Sequence, residues 1–161
     1  PPQTPNCLFC PLSGSCRALS EGKVQQLPVK QHRTKTTNRY FNYIYVRMGA
    51  HTLIHKRTED DIWKNLFELP LVETEKDLSE EEFLACPQFH ALFAEGEVRM
   101  VRTLLRGVKH VLSHRVIYTN FYEVTLPDNS SSFSSYQRVA VEDLGRYAVP
   151  RLIHAFLEKY V

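Results

Sequence analysis

The chain has 161 residues, 43% of them hydrophobic and 24% charged, with a formal net charge of +2. That is enough for one well-buried domain with a short appendage and too little for two full cores. No run of eighteen apolar residues occurs, which excludes a membrane-spanning helix. Three of the four cysteines are clustered and Cys86 stands alone, which is no secreted disulfide framework. A reducing compartment is expected, with the protein cytoplasmic and no signal peptide.

In chain order, residues 1–38 are rich in Pro, Gln, Thr, Ser and Lys and show no sustained period. They read as a cysteine-bearing loop followed by an extended connector. From Tyr40 the pattern turns to Tyr-Phe-Asn-Tyr-Ile-Tyr-Val, a strand. A turn at Arg47–Ala50 containing Gly49 follows, then a second strand at 52–56. Residues 66–69 form a short strand stopped by Pro70. Residues 78–93 are acidic and helical in character, with a break at Pro87.

Two long strands are expected at about 97–112 and 115–126. In the second, Val116, Tyr118, Asn120, Tyr122 and Val124 share one face, and Ile117, Thr119, Phe121, Glu123 and Thr125 the other. The serine-rich stretch 127–136 reads as an exposed loop, and 137–141 as a last strand. A helix starting near Pro150 places Leu152, Ile153, Phe156, Leu157 and Tyr160 on one face. The whole is an α+β fold, with a mixed β-sheet flanked by helices behind an irregular cysteine-bearing segment.

The small net charge hides two opposed runs. Residues 17–57 hold nine Lys and Arg against Glu21 alone, and residues 59–82 hold ten acids against Lys64 and Lys76. Such runs signal either a phosphate-facing surface with a solvated opposite side, or two soluble faces. The sequence alone leaves both open.

Cys7, Cys10 and Cys16 have the spacing Cys-x2-Cys-x5-Cys, one sulfur short of a closed four-ligand zinc or 4Fe–4S site. A zinc site completed by His32 or by another chain is one reading. The stretch Pro5-Asn6-Cys7-Leu8-Phe9-Cys10-Pro11-Leu12-x3-Cys16 resembles the iron–sulfur loop of the adenine DNA glycosylases that act opposite 8-oxoguanine. The resemblance implies that Cys7, Cys10 and Cys16 are 4Fe–4S ligands in a longer parent protein, the fourth falling just before Pro1. This fragment is expected to bind no cofactor by itself.

The remainder resembles the C-terminal domain of the same glycosylases, which has the Nudix hydrolase fold. Arg57-x5-Trp63-x2-Leu66-x-Glu68-x-Pro70 is similar to the family's Arg…Gly-Leu-Trp-x-Gly-Leu-Trp-Glu-Phe-Pro, from which Asp61, Ile62, Asn65, Phe67 and Leu69 depart. Trp63 and Phe67 read as buried packing. His110-Val111-Leu112-Ser113-His114 is similar to the His-x-Phe-Ser-His hairpin tip that inspects the oxidised base, with Leu112 in place of Phe.

The resemblance implies three segments: 1–16 a remnant of the cluster loop, 17–37 a basic connector, and 38–161 a Nudix-like domain that reads 8-oxoguanine. Leu112, Ser113, His114 and His110 would contact the lesion, and Arg33, Lys35, Arg39 and Arg115 the phosphates. The implied partners are duplex DNA with an 8-oxoguanine·adenine mispair and an N-terminal helical catalytic domain, the protein acting as a monomer. No catalytic residue is expected in this piece.

A working Nudix hydrolase would need Gly-x5-Glu-x7-Arg-Glu-x2-Glu-Glu to hold a divalent metal. Counted from Pro70, those positions are Val72, Leu78, Cys86-Pro87 and His90-Ala91, so no metal-dependent diphosphatase activity is expected. That hydrolase and a protein-interaction module are the rival classes.

Overall fold

The computed structural model describes residues 5–27, 29 and 35–161. The chain divides into two compact units, Pro1–Lys35 and Thr36–Val161.

The first unit is more ordered than its composition suggests. Three-ten turns at Cys7–Phe9, Ser13–Ser15 and Val24–Gln26 flank a single helical turn, α1 (Arg17–Ser20). The expected irregular loop is therefore a string of local turns. No apolar period is needed for these, because each closes on backbone bonds such as Cys10 N–H to Cys7 O and Glu21 N–H to Arg17 O.

The second unit is built around a four-stranded mixed sheet in the order β4 (Leu71–Thr74), β1 (Thr37–Arg47), β6 (Arg115–Thr125), β5 (Met100–Val111). β1 and β6 run parallel, from Thr37↔Arg115 to Arg47↔Thr125, and the two outer strands are antiparallel to them. A smaller antiparallel sheet places β2 (His51–Lys56) between β3 (Phe67–Glu68) and β7 (Gln137–Ala140). The expected mixed sheet flanked by helices is what forms.

Central strands covered on both faces should be rich in apolar residues on both sides, and β1 and β6 are, with Asn42, Thr119, Asn120 and Glu123 as their buried polar exceptions. Phe41, Tyr43, Tyr45, Ile117 and Phe121 point into a core shared with Leu152, Ile153 and Phe156 of α4 (Arg151–Tyr160). Ile44, Val46, Tyr122 and Val124 point the other way, against Phe83 of α2 (Glu80–Ala85) and Phe89 of α3 (Pro87–His90). Ser79 and Glu82 close a reciprocal capping box at the start of α2, and Pro87 opens α3.

Two details depart from the sequence pattern. Leu71–Thr74 pairs with β1 immediately after Pro70, a strand too short for its period to show. The serine loop is not simply exposed. The Glu97 carboxylate accepts from the Ser131 and Ser132 N–H groups and from the Ser131 hydroxyl, and Phe133 is buried behind it. The Ser130 hydroxyl also donates to Glu97 and, with those donors, holds its carboxyl down at about 2, contributing most.

β5 carries two register shifts, between Thr103 and Val108. Gly107 lies there at φ 68°, and its N–H donates to the Asn120 side-chain oxygen at 2.9 Å. A bulge of this kind bends the strand and sharpens its twist. Beyond it the β5–β6 hairpin runs out to the tip at Leu112–His114.

Candidate nucleic-acid interface

The hairpin turns between Val111 and Val116, which face each other across the strands. The Leu112 N–H donates to Arg115 O at 2.8 Å and closes the turn. The Thr37 N–H donates to His114 O at 3.1 Å, tying the tip to the start of β1. Ser113 and His114 are exposed, while Leu112 leans on the core. An apolar side chain is thus anchored beside two polar ones presented to solvent.

A second segment closes beneath this tip. Residues 57–66 form a loop whose ends are bonded, Arg57 N–H to Leu66 O at 2.9 Å and Asn65 N–H to Arg57 O at 2.7 Å. Trp63 and Asn65 both adopt left-handed conformations, φ 58° and 69°. Asn65 stands where the family pattern has glycine and tolerates that conformation. Trp63 does not tolerate it readily, and its surroundings must hold it there. They do: its ring lies 6.1 Å from Phe41 and 5.9 Å from His110. The loop and the tip together line an open cleft formed by Asp60, Asp61, Ile62, Leu112, Ser113, His114 and Arg115.

Asp61 is the electrostatic centre of the cleft. Its carboxylate accepts from Arg39 Nη1 at 2.7 and 2.9 Å, from Arg57 Nη2 at 2.9 Å and from Arg115 Nη1. Arg39 is held on its other edge by Glu73, at 2.6 and 2.7 Å. Arg57 donates to both oxygens of Glu68 at 2.9 Å, and the Tyr43 hydroxyl donates to the same carboxylate at 2.9 Å. His55 Nε2 stands 3.2 Å from Glu68. Burial, with the Glu68 charge beside it, pushes the Tyr43 hydroxyl well above its ordinary value.

Partial burial opposes ionisation of Asp61, but the Ile62 N–H and the Arg39 and Arg115 guanidiniums outweigh it and hold the carboxyl at about 2. The folded value lies below the ordinary 3.8. Its contribution is therefore complete above pH 4 and lost as pH falls through about 2, and amounts to about 1–2 kcal/mol after solvent screening. Urea titrations from pH 5 to pH 2 should show the gap between wild type and Asp61→Asn closing over that interval.

Leu112, Ser113, His114 and Arg115 come together in the cleft. His110 does not join them: it pairs across the hairpin with Ile117 and packs on Trp63, making it a support for the tip. The Arg39 guanidinium, expected to face phosphate, is engaged by Glu73 and Asp61. Arg115 is likewise engaged by Asp61. Lys35 is exposed and belongs to the first unit. Arg33 lies outside the described residues.

Cys7, Cys10 and Cys16 are half-buried free thiols. Among the described residues no group of three or more His, Cys, Asp or Glu side chains is gathered to hold a metal. Three sulfurs also leave a tetrahedral or cubane site one ligand short. The sequence reading missed the role of Asp61, and its one signal was a carboxylate standing where the family pattern has glycine.

The NUDIX domain family model matches residues 42–159. An adenine DNA glycosylase of Buchnera aphidicola subsp. Acyrthosiphon pisum is 24% identical over 159 residues, 97% of this chain and 43% of that protein. Its counterpart from Buchnera aphidicola subsp. Schizaphis graminum is 32% identical over 73 residues, 45% of this chain and 21% of that protein. The chain thus spans less than half the length of these relatives. Among solved structures, the C-terminal domain of mouse MUTYH, crystallised with human PCNA, superposes with TM-score 0.60 at 14% identity, over 76% of this chain and 86% of that one. A MutT protein from Methanosarcina mazei Go1 gives 0.51 at 17% identity, over 79% and 95%. At these identities the structural matches speak for the fold.

Proposed function

This chain belongs to the NUDIX domain family, and we propose that it uses the fold to recognise 8-oxoguanine paired with adenine, as the lesion-reading part of an adenine DNA glycosylase. The observation that carries this reading is the exposed Ser113 at the hairpin apex, between an anchored Leu112 and an exposed His114. Similarity to a curated adenine DNA glycosylase along 97% of the chain supports it.

The chemistry of the tip suits the task. Guanine offers N7 in the major groove as an acceptor, whereas oxidation puts a hydrogen on N7 and an oxygen on C8. A hydroxyl both donates and accepts, so Ser113 can accept from N7–H and donate to the neighbouring O6. Against guanine the same hydroxyl meets two acceptors and can satisfy one. Leu112 supplies an apolar wedge, and His114 a contact to the backbone. The parent enzyme would flip the adenine and cleave its N-glycosidic bond with residues of its helical domain. A 4Fe–4S cluster with Cys7, Cys10 and Cys16 among its ligands would belong to that enzyme.

Competition binding of this chain to duplexes carrying 8-oxoguanine·adenine or guanine·adenine tests the reading. Wild type should favour the lesion, and Ser113→Ala should reduce that preference about tenfold, the discrimination expected of one well-placed base contact. Equal affinities for the two duplexes in wild type would exclude it. Magnesium-dependent turnover of nucleoside triphosphates would favour the hydrolase instead.

A further inference from the structure

The tip is fixed by backbone bonds at Leu112 and His114, by Leu112 on the core and His110 on Trp63, and by Arg115, which reaches down to Asp61. Asp61 does not float. Its carboxylate is shared with Arg39, which Glu73 clamps, and with Arg57, which the buried Glu68 clamps. A continuous line of ion pairs therefore runs from the exposed hairpin to the middle of the fold. Three arginines face three carboxylates in it, so the network adds no net charge to attract phosphate. The loop that carries Asp61 is closed at Arg57 and Leu66 and pinned by Trp63 against Phe41.

We propose that Asp61 is a positioning residue for lesion discrimination, acting through Arg115 as a strut that sets the height and angle of the Leu112–His114 tip. The proposal rests on the reading of the tip as the 8-oxoguanine sensor. It also reassigns Arg115. A serine that must meet N7–H and O6 at once tolerates little displacement, and a shift of about 1 Å at a positioned group can cost up to two orders of magnitude. A cation spent on a phosphate would act differently, weakening damaged and undamaged duplexes alike and lowering the salt slope by about one.

The two roles separate in one experiment on this chain. Affinities for the 8-oxoguanine·adenine and guanine·adenine duplexes are measured across a salt series for wild type, Arg115→Gln, Asp61→Asn and the double variant. The strut requires each single change to lower the lesion preference about tenfold with the salt slope unchanged, and the double variant to lose no more than the larger single. Arg115→Gln leaves the Asp61 pairs with Arg39 and Arg57 intact, so it decides the question if Asp61→Asn does not fold. A salt slope reduced by about one with the preference intact overturns the strut and makes Arg115 a phosphate contact. A preference unaffected by Arg115→Gln overturns it as well. In both cases the reading of Ser113 survives, whereas a wild-type chain with no preference removes the two together.

Discussion

Glu68→Ala should lower the stability of the domain by about 3–5 kcal/mol, the usual cost of breaking a buried ion pair from one side. For a domain of this size that is a fall of roughly 10–20 °C in the thermal midpoint. Glu68 is 2% exposed; its carboxylate accepts from Tyr43 on β1 and from Arg57 just beyond β2, and His55 Nε2 on β2 stands 3.2 Å away. It therefore joins the large sheet to the small one. Removing it strands the Arg57 guanidinium, 10% exposed, with only Asp61 and the Ile62 carbonyl as partners, and leaves the Tyr43 hydroxyl without an acceptor. Glu68→Gln keeps an acceptor and should cost about half as much. Replacing both members, Arg57→Met with Glu68→Met, should be less damaging than Glu68→Ala alone, because no buried charge is left unmatched. Differential scanning calorimetry of the four proteins gives the order. A double variant less stable than Glu68→Ala would show that the pair contributes more than it costs to desolvate.

The same network shows where the sequence could be read and where it could not. The strands β1 and β6 were visible as dense aromatic and β-branched runs, and α4 as a one-faced helix, because those patterns come from burial of whole faces. The parallel pairing of β1 with β6 leaves no such mark, since register arises from contacts between segments about eighty residues apart. The opposed charge runs were visible too, but their meaning was not. Basic and acidic stretches meet in space as Arg39–Glu73, Arg57–Glu68 and Arg39–Asp61, so much of the apparent polarity is internal pairing. Ser113 was legible because a short motif holds it and a hairpin tip must be exposed. Asp61 was not, because its partners come from β1, β2's end and β6, and no spacing in one segment announces a residue that joins three.

Phe156→Ala offers the complementary case, a large loss of stability remote from the tip. The Phe156 ring stacks on Phe121 at 4.1 Å and 3°, edges onto Tyr45 at 6.2 Å, and is backed by Tyr160 at 5.3 Å. It is the residue by which α4 locks onto the face of β6. Deleting a fully buried phenyl group removes both its transfer free energy and its contacts around the resulting cavity, about 3–5 kcal/mol. Its neighbours Phe121 and Tyr45 sit on rigid central strands and cannot collapse into the space, which places the expectation toward the upper end. The tip should be spared, because the bonds that set it run through Thr37, Arg115 and Asp61 rather than through α4. The variant should therefore unfold at a much lower denaturant concentration yet, on the proposed function, keep the wild-type preference between the 8-oxoguanine and guanine duplexes at temperatures where it is folded. Denaturant titration and the competition assay, run on one preparation, measure the two quantities side by side. A lesion preference that fell in proportion to stability would mean that recognition depends on the rigidity of the whole sheet, not on the local clamp beneath the hairpin.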